Sequence, residues 1–268
     1  MRPSSVVLRV VTGGYLILFF IYLLMPLVFM SLVAFNSSTV PQVSPWQGFT
    51  LKWFGVLLAD NQMWGSLINS FIVAFFVVII SVPIGLSASL LLTRLQFKYR
   101  DGLYAVLVSP LLLPGIIIGI STFLFWDRAF QLSGGLFTTI MAQASFISGY
   151  SMLLIMARSQ RFDRIQEDAA FDLGATHWQV FYKITLPFLS PALISAAALA
   201  FMQSFDNYNT TLFAIGFEQT LPIYIGSKLR SFISPAMNAL SFIFILFTLT
   251  GAVIYETLRR RELRNNSR

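Results

Sequence analysis

The amino-acid sequence predicts an all-α membrane protein with six transmembrane helices, and three observations carry this prediction. Only 11% of the 268 residues are charged and 56% are hydrophobic, whereas a soluble globular domain carries about 25% charged residues. Six apolar segments each reach the length of roughly 20 helical residues that crosses a bilayer. Lysine and arginine concentrate in the loops of one side of the predicted bundle. Such a chain must be surrounded largely by membrane lipid.

The six predicted spans cover most of the chain, so residues 1–268 are expected to form a single transmembrane domain. Each span should be helical, because an isolated strand cannot satisfy its backbone polar groups in lipid. The first is interpreted as an uncleaved span, since it lacks the small-residue cleavage site of a signal peptide. The fifth is interrupted by Asp206, Asn207 and Asn209. The spans are expected at residues 10–34, 64–93, 103–126, 137–157, 187–215 and 236–258.

Charge in the loops orients the predicted bundle. Six spans place both termini on one side, and fourteen of the 18 lysines and arginines fall there, which makes that side cytoplasmic. This bias also explains the net charge of +7, so no nucleic-acid partner is expected. The fourteen are Arg2, Arg9, Arg94, Lys98, Arg100, Arg158, Arg161, Arg164, Lys183, Arg259, Arg260, Arg261, Arg264 and Arg268; the other side holds Lys52, Arg128, Lys228 and Arg230.

Residue types that catalysis needs are scarce. The chain has no cysteine, and His177 is its single histidine, which excludes thiolate chemistry and argues against a histidine-based metal site. Neither a GxxxxGK[ST] phosphate loop nor a Ser-His-Asp set occurs, so we expect no enzyme, no cofactor and no ATP hydrolysis by this chain. A secondary transporter remains an alternative, although it would need inverted repeats or several buried charges.

Small residues recur at helical spacing in the second and third spans. Ser81, Gly85 and Ser89 lie four residues apart, and Gly115 and Gly119 form a GxxxG pattern. Small residues let helix backbones approach closely within lipid. Two interpretations stay open: packing inside the bundle, or a helix that lines the pore or contacts a second subunit.

The longest polar stretch between spans covers residues 158–187 and is called the polar hairpin below. Asp163 is expected to cap a first helix with Gln166 as its partner. Gly174 is suited to the left-handed position that ends a helix. Thr176 is expected to cap a second helix with Gln179. The hairpin therefore predicts helix, glycine turn and helix, followed by the fifth span.

The first hairpin helix carries a narrow apolar strip. Ile165, Ala169 and Leu173 recur every four residues and so share one face. A helix tip with small residues can enter a groove on another protein. Alternatively, the hairpin packs only on its own bundle. The residue types alone do not decide between these two interpretations.

The hairpin resembles the EAA motif of permeases of ABC importers. Asp168-Ala169-Ala170 is followed by Gly174 at the spacing of that motif, and a Leu-Pro pair follows at Leu186-Pro187. The glutamate of the family is aspartate here, which keeps the charge. The resemblance implies a coupling helix that inserts into a cleft of an ATP-hydrolysing subunit. The residues expected to form this contact are Glu167, Asp168, Ala169, Ala170, Leu173, Gly174 and Ala175.

Further stretches are similar to permeases of the spermidine/putrescine class within the binding-protein-dependent transport family. That resemblance implies a protein of the bacterial cytoplasmic membrane that works with a dimeric ABC ATPase, a second homologous permease and an extracytoplasmic solute-binding protein. ATP would be used by the ATPase. The matching stretches are Phe35-Asn36-Ser37-Ser38, Trp46-Gln47-Gly48-Phe49-Thr50, Lys52-Trp53, Ser109-Pro110, Leu221-Pro222-Ile223-Tyr224, Ser234-Pro235 and Asn238-Ala239-Leu240.

Asp206 is the clearest ionisable residue within a predicted span, and such residues are functional candidates. With Gln203, Asn207 and Asn209 it offers a carboxylate among amides that suits a cationic polyamine. Alternatively, Asp206 lies hydrated at the outer end of the span. Polyamine-class members often carry two acidic residues here, and Asn207 replaces the second. The substrate could therefore also be a monocation, an amino-acid derivative, an opine-like compound or a zwitterion.

Overall fold

The computed structural model describes residues 5–231 and 234–266, and helices dominate these two ranges. The described residues form no β-strand, only one isolated antiparallel bridge between Asn36 and Phe49. The predicted all-α class is confirmed. Arg2 and Arg268 of the charge prediction lie outside the described residues. The side of the membrane on which the termini lie stays a prediction.

Twelve α-helices occur in the described part of the chain. A 3₁₀ turn, Ser109–Leu112, follows the fourth helix, and a π-helical segment, Phe181–Thr185, joins the eighth to the ninth. The helices are α1 Ser5–Phe35, α2 Lys52–Leu58, α3 Asn61–Arg94, α4 Arg100–Val108, α5 Gly115–Phe130, α6 Leu136–Ser159, α7 Ile165–Asp172, α8 His177–Val180, α9 Leu186–Phe205, α10 Thr211–Ala214, α11 Leu221–Ser231 and α12 Pro235–Asn266.

Five segments of the described chain are long and apolar enough to cross a membrane as single helices, and a bent pair supplies the sixth. The sixth combines residues 100–112 with α5, and the two parts meet at 105°. The structure thus differs from the straight helix expected over residues 103–126. Leu113 is extended, with φ −85° and ψ 140°, because the residue before a proline is disfavoured in the α region. Pro114 then occupies the N-cap position of α5.

The fifth predicted span is helical but is also interrupted, as its polar residues indicate. α9 ends at Phe205, and the chain regains helix only in the short α10, Thr211–Ala214. At its other end α9 continues α8 through the π-helical segment, so one helical rod runs from His177 to Phe205. Pro187 therefore lies near the start of α9 and does not end the second helix of the polar hairpin.

Contacts divide the chain into two units, and the first combines residues 1–61 with 225–268. Within it α12 packs along α1 and against α2. The ring of Phe35 lies between three others, Phe49 at 5.4 Å, Phe54 at 5.3 Å and Phe242 at 5.0 Å between centroids. This cluster fixes the loop that follows α1 against α12.

The loop between α1 and α2 is organised by one buried amide. Asn36 Oδ1 accepts hydrogen bonds from the backbone N–H groups of Ser38 (3.2 Å) and Gln47 (3.1 Å). Its Nδ2 donates to the Gln42 carbonyl at 2.9 Å, and the indole N–H of Trp53 donates to its backbone oxygen at 2.8 Å. The loop is therefore ordered around a side chain that leaves few donors unmet.

The second unit comprises residues 62–224 and holds both the polar hairpin and the candidate substrate residues. Its core is a layer of α3, α6 and α9, in which Val77, Ile147 and Ala196 are completely buried. Ser81, Gly85 and Ser89 are buried on α3. A Cβ on Gly85 would lie 2.6 Å from the Cβ of Ser151 on α6. This small-residue face serves packing inside the bundle, the first of the two interpretations.

Replacing Gly85 with alanine is expected to lower the thermal unfolding midpoint. The added methyl would also stand 2.7 Å from the Met152 backbone nitrogen, so α3 and α6 must separate, at about 1–3 kcal/mol. Gly65→Ala on the same helix is the matched control, because nothing lies within 4 Å of its Cβ position and alanine favours helix by roughly 0.5–1 kcal/mol. Equal midpoints for the two variants would contradict the close contact.

Candidate functional site

The polar hairpin has the geometry that its glycine and its second cap indicate. Gly174 adopts φ +84°, and Ala175 N–H donates to the Ala170 carbonyl at 3.0 Å, which closes α7. Thr176 and Gln179 exchange the two bonds of a capping box, at 3.3 and 2.8 Å. Both predictions are confirmed.

The predicted first cap is wrong. α7 begins at Ile165 with Arg164 in the cap position, and no side chain caps it there. Asp163 Oδ1 instead accepts a hydrogen bond from Ile165 N–H at 3.0 Å, a turn within the loop that leads into the helix. Gln166 therefore has no capping box to complete.

α7 presents two different faces, and they divide the residues expected to form the coupling contact. Ile165 is 70% and Leu173 88% exposed, and Ala169 between them is exposed as well. Asp168 and Gly174 are also exposed. The described residues of the second unit thus leave the apolar strip uncovered, contrary to the interpretation in which the strip packs on its own bundle.

The opposite face of α7 packs against the rest of the second unit. Glu167 is buried, and Ala170 and Ala175 are half-buried. Glu167 Oε1 lies 2.5 Å from Arg94 Nη2 at the end of α3 and accepts a hydrogen bond from the Thr185 hydroxyl. Arg94 also donates to Thr185 Oγ1 at 3.2 Å. This Arg94–Glu167 pair connects α7, α3 and the segment that leads into α9.

Glu167 and Asp168 have different surroundings, which were not predicted from the sequence. Arg94 lies 73 residues before Glu167, so no local spacing indicates their contact. The available signal was helical phase: Ile165, Ala169 and Leu173 define the outer face of α7, and Glu167 lies about 200° around the helix from Ile165. A carboxylate on the inner face needs a partner, because burial of an unpaired charge is costly.

Aromatic side chains cover the exposed side of α8 and the π-helical segment. The ring of Trp178 stacks on Tyr182 at 5.7 Å and meets Phe181 edge-on at 6.5 Å between centroids. His177 begins α8, is exposed and contacts the Phe171 ring at 4.9 Å. These contacts fit His177 as a residue of the turn between the hairpin helices.

The helices of the second unit are broken at two places, between Leu112 and Gly115 and after Phe205. A cavity of about 250 Å³ lies between these two breaks and is called the break cavity. All four residues predicted for the substrate path border it: Gln203, Asp206, Asn207 and Asn209. Pro110, Leu113 and Gly115 contribute the other break, and Phe146 and Tyr150 of α6 form part of the wall. These two aromatic residues were not predicted from the sequence, because only the tertiary fold brings α6 to the breaks.

The four predicted residues differ in what they do at the break. Asn207 Oδ1 accepts from the backbone N–H groups of Thr210 (3.2 Å) and Thr211 (3.3 Å), so it holds the turn that leads into α10. Asp206 occupies the C-cap of α9 and is exposed, as is Asn209. Gln203 is half-buried one turn earlier. Asp206 therefore offers a charged group to the break cavity, whereas Asn207 is committed to the backbone.

A buried amide connects the two sides of the break after α9. Gln143 of α6 is completely buried; its Nε2 donates to Thr211 Oγ1 at 2.8 Å, and its Oε1 accepts from the Ser204 hydroxyl at 2.5 Å. A Cβ on Gly119 would overlap the Thr210 carbonyl, and one on Gly115 would stand 2.7 Å from Thr210 Oγ1. The GxxxG pattern thus brings α5 against the break, and Gly115 also borders the cavity.

The sequence matches a known family of membrane transport components over most of its length. The family model described as "Binding-protein-dependent transport system inner membrane component" matches residues 53–264. The chain is 31% identical to the putrescine transport system permease protein PotI of Escherichia coli K12, over 92% of this chain and 90% of the relative. It is 27% identical to the spermidine/putrescine transport system permease protein PotC of the same strain, over 97% of both chains.

Solved structures show the same fold at lower identity. A chain of a bacterial ABC transporter involved in the import of the acidic polysaccharide alginate superposes with a TM-score of 0.73 at 16% identity. The match covers 97% of this chain and 98% of that chain. The complex of the bacterial alginate ABC transporter with its alginate pentasaccharide-bound periplasmic protein gives a TM-score of 0.69 over 93% of this chain.

Proposed function

The chain belongs to the family of binding-protein-dependent transport system inner membrane components, and we propose that it forms half of the translocation path of an ATP-driven importer for a small cationic solute. It is a multi-pass inner-membrane permease and not an enzyme. Polyamines such as putrescine and spermidine are the first candidate substrates, since both relatives named above carry polyamines in their names.

The proposed importer has three partners. A dimeric ABC ATPase would hold and hydrolyse ATP, while this chain binds no cofactor. A second homologous permease would complete the path, and an extracytoplasmic binding protein would deliver the solute; the alginate transporter is seen with such a periplasmic protein. The uncovered strip of α7, with Leu173 88% exposed, supports the ATPase contact as helix-in-groove recognition.

Movement would pass from the ATPase to the spans through the polar hairpin. Closure of the ATPase dimer would displace α7 as a rigid body. Glu167 ties α7 to Arg94 of α3, and Thr185 ties it to the segment before α9. The end of α3 and the start of α9 would therefore move with α7. This movement would switch the path between inward-facing and outward-facing states.

The position of Asp206 on the wall of the break cavity is the main support for a cationic substrate. It is the one charged residue among those that line the break cavity. The carbonyl end of α9, where Asp206 lies, adds partial negative charge. Phe146, Tyr150 and Tyr208 offer aromatic rings in the same wall, and ring faces attract amine cations. An ammonium group is thus the ligand that this wall favours.

A zwitterionic nitrogenous solute is the second candidate, and one further observation favours it. α5 begins at Gly115 on the wall of the break cavity, and the first N–H groups of a helix favour negative charge. Asp206 and this helix start would then receive opposite ends of an amino-acid derivative. The cavity also offers one carboxylate where a dication would be served by two.

Replacing Asp206 with asparagine is expected to raise KM for a cationic substrate at least tenfold, since a charge-assisted hydrogen bond contributes about 1.5–3 kcal/mol. Uptake of labelled putrescine by the whole transporter in proteoliposomes measures this, with competition by an amino acid to test the zwitterion. Asp127→Asn is the matched control, because Asp127 pairs with exposed Arg128 at 3.9 Å and does not line the cavity. Unchanged KM in Asp206→Asn would place Asp206 outside the path.

A further inference from the structure

A second cavity of about 190 Å³ lies where α3, the start of α4 and the chain after α6 meet, and we call it the arginine cavity. Three guanidinium groups line it, those of Arg94, Arg100 and Arg164, together with Thr93, Ser159 and Gln160. No carboxylate is among its lining residues. All of these residues belong to the second unit.

Each arginine is anchored by one strong contact. Arg100 Nε donates to the Leu92 carbonyl at 2.6 Å, Arg164 Nη2 donates to the Thr93 carbonyl at 2.5 Å, and Arg94 Nη2 binds Glu167 at 2.5 Å. A guanidinium has five N–H donors, so these bonds hold each arginine in place and leave donors for a ligand. The hydroxyls of Thr93 and Ser159 lie 3.0 Å apart on the same wall.

The described residues show one ion pair to the three arginines of the arginine cavity. Glu167 offsets one of the three guanidinium charges, which leaves 3 − 1 = 2 positive charges. The carbonyl end of α3 contributes only about half a negative charge. The volume is several times the roughly 30 Å³ that one water occupies, so a group with four oxygen atoms has room.

The residues beside the arginine cavity are of the kinds found at a membrane interface. Its lining residues lie in segments that the charge distribution predicts to be cytoplasmic. Beside it, residues 95–99 alternate exposed apolar side chains, Leu95, Phe97 and Tyr99, with polar ones, and Lys98 lies 5.8 Å from the Tyr99 ring. Apolar and basic side chains together are typical of the membrane interface on the cytoplasmic side.

We propose that the arginine cavity binds a phosphate group, carried by an anionic phospholipid of the cytoplasmic leaflet or by free phosphate. Arg100 and Arg164 hold it through their remaining N–H donors, because guanidinium forks match the oxygens of phosphate. Arg94 contacts the same group while it holds Glu167. Occupancy of the cavity is thereby linked to the position of α7 through one guanidinium.

The test uses the whole transporter purified in a neutral detergent. Native mass spectrometry measures binding of phosphatidylglycerol, phosphatidylcholine with the same chains, and inorganic phosphate. We expect phosphatidylglycerol to bind and Arg100→Gln to weaken it at least tenfold. Arg161→Gln is the matched control, because Arg161 is exposed on the same predicted face and does not line the cavity. Binding of free phosphate with the same dependence on Arg100 also supports the site and identifies the other source.

Two results would overturn the proposal. One is equal loss of binding in Arg100→Gln and Arg161→Gln, which would indicate diffuse surface charge. The other is no binding of either phosphate source by the parent transporter. Arg164→Gln provides a second variant at an exposed residue if Arg100→Gln fails to assemble, and it must show the same selective loss.

Discussion

Replacing Ala169 with tryptophan will abolish uptake while the chain still folds and reaches the membrane. Ala169 lies between Ile165 and Leu173 on a strip that no other part of the described second unit covers, since these two neighbours are 70% and 88% exposed. A large side chain there meets solvent in the isolated chain and costs little stability. In the proposed importer it would instead meet the wall of the ATPase groove, where a central contact contributes about 2 kcal/mol or more.

Two measurements check this expectation. The first is the amount of ATPase that co-purifies with the tagged permease, which should fall at least tenfold, as about 1.4 kcal/mol or more predicts. The second is substrate uptake by cells that carry the whole transporter, which should fall in parallel. Ala169→Ser keeps the small size and should behave as the parent. Tryptophan at this position with normal co-purification and uptake would show that the strip does not enter a groove.

Substitutions at Ala170 and Gly174 would test docking less clearly than Ala169→Trp, because each would also disturb the fold of the chain. Ala170 is half-buried on the inner face of α7, so a bulky residue there would disturb the bundle before it reached a partner. Gly174 adopts φ +84°, and a residue with a Cβ pays about 1–2 kcal/mol in that region. Gly174→Asp would therefore combine backbone strain with any loss of docking, whereas Ala169→Trp isolates the docking step.

The sequence predicted what is encoded locally. Apolar length predicted the spans, and Gly174, Thr176 and Gln179 predicted the turn and the second helix of the polar hairpin, because each of these features depends on neighbours within four residues. The fold class and the membership in a transport family were accessible in the same way. Asp163 failed as a cap because Asx turns and helix caps use the same residue types, and only the backbone decides between them.

The bend in the third span, the break cavity and the Arg94–Glu167 pair depend on contacts between distant parts of the chain. The bend of 105° at Pro114 was not predicted. It accompanies the close approach of Gly119 to Thr210, a residue far along the chain. The break cavity is lined by α5, α6 and the end of α9. Asp206 could be proposed as a substrate-path residue from its charge within a span, whereas Tyr150 could not, because only the fold brings α6 to the cavity. Helical phase places Glu167 and Asp168 on different faces of α7, but only the fold shows that Arg94 is the partner of the inner carboxylate.

Breaking the Arg94–Glu167 pair will uncouple ATP hydrolysis from transport without removing the ATPase. Glu167 is buried and accepts hydrogen bonds from Arg94 and Thr185, so α7 is joined to α3 and α9 through one carboxylate. Glu167→Gln removes the charge and leaves the outer strip of α7 intact. The pair contributes about 1.5–3 kcal/mol, toward the lower end because Arg94 is 33% exposed. α7 would still dock, but its displacement would no longer move the spans.

The measurement is the number of ATP molecules hydrolysed per solute imported by the reconstituted transporter. Glu167→Gln and Arg94→Gln should each raise this ratio several-fold, and the double variant should equal either single one, because both remove the same contact. Glu256→Gln is the matched control: Glu256 pairs with Arg260 at 2.6 Å on α12, but both side chains are exposed, at 45% and 77%, so their pair contributes little. Additive effects of Glu167→Gln and Arg94→Gln, or an unchanged ratio, would show that the pair is not the connection between α7 and the spans.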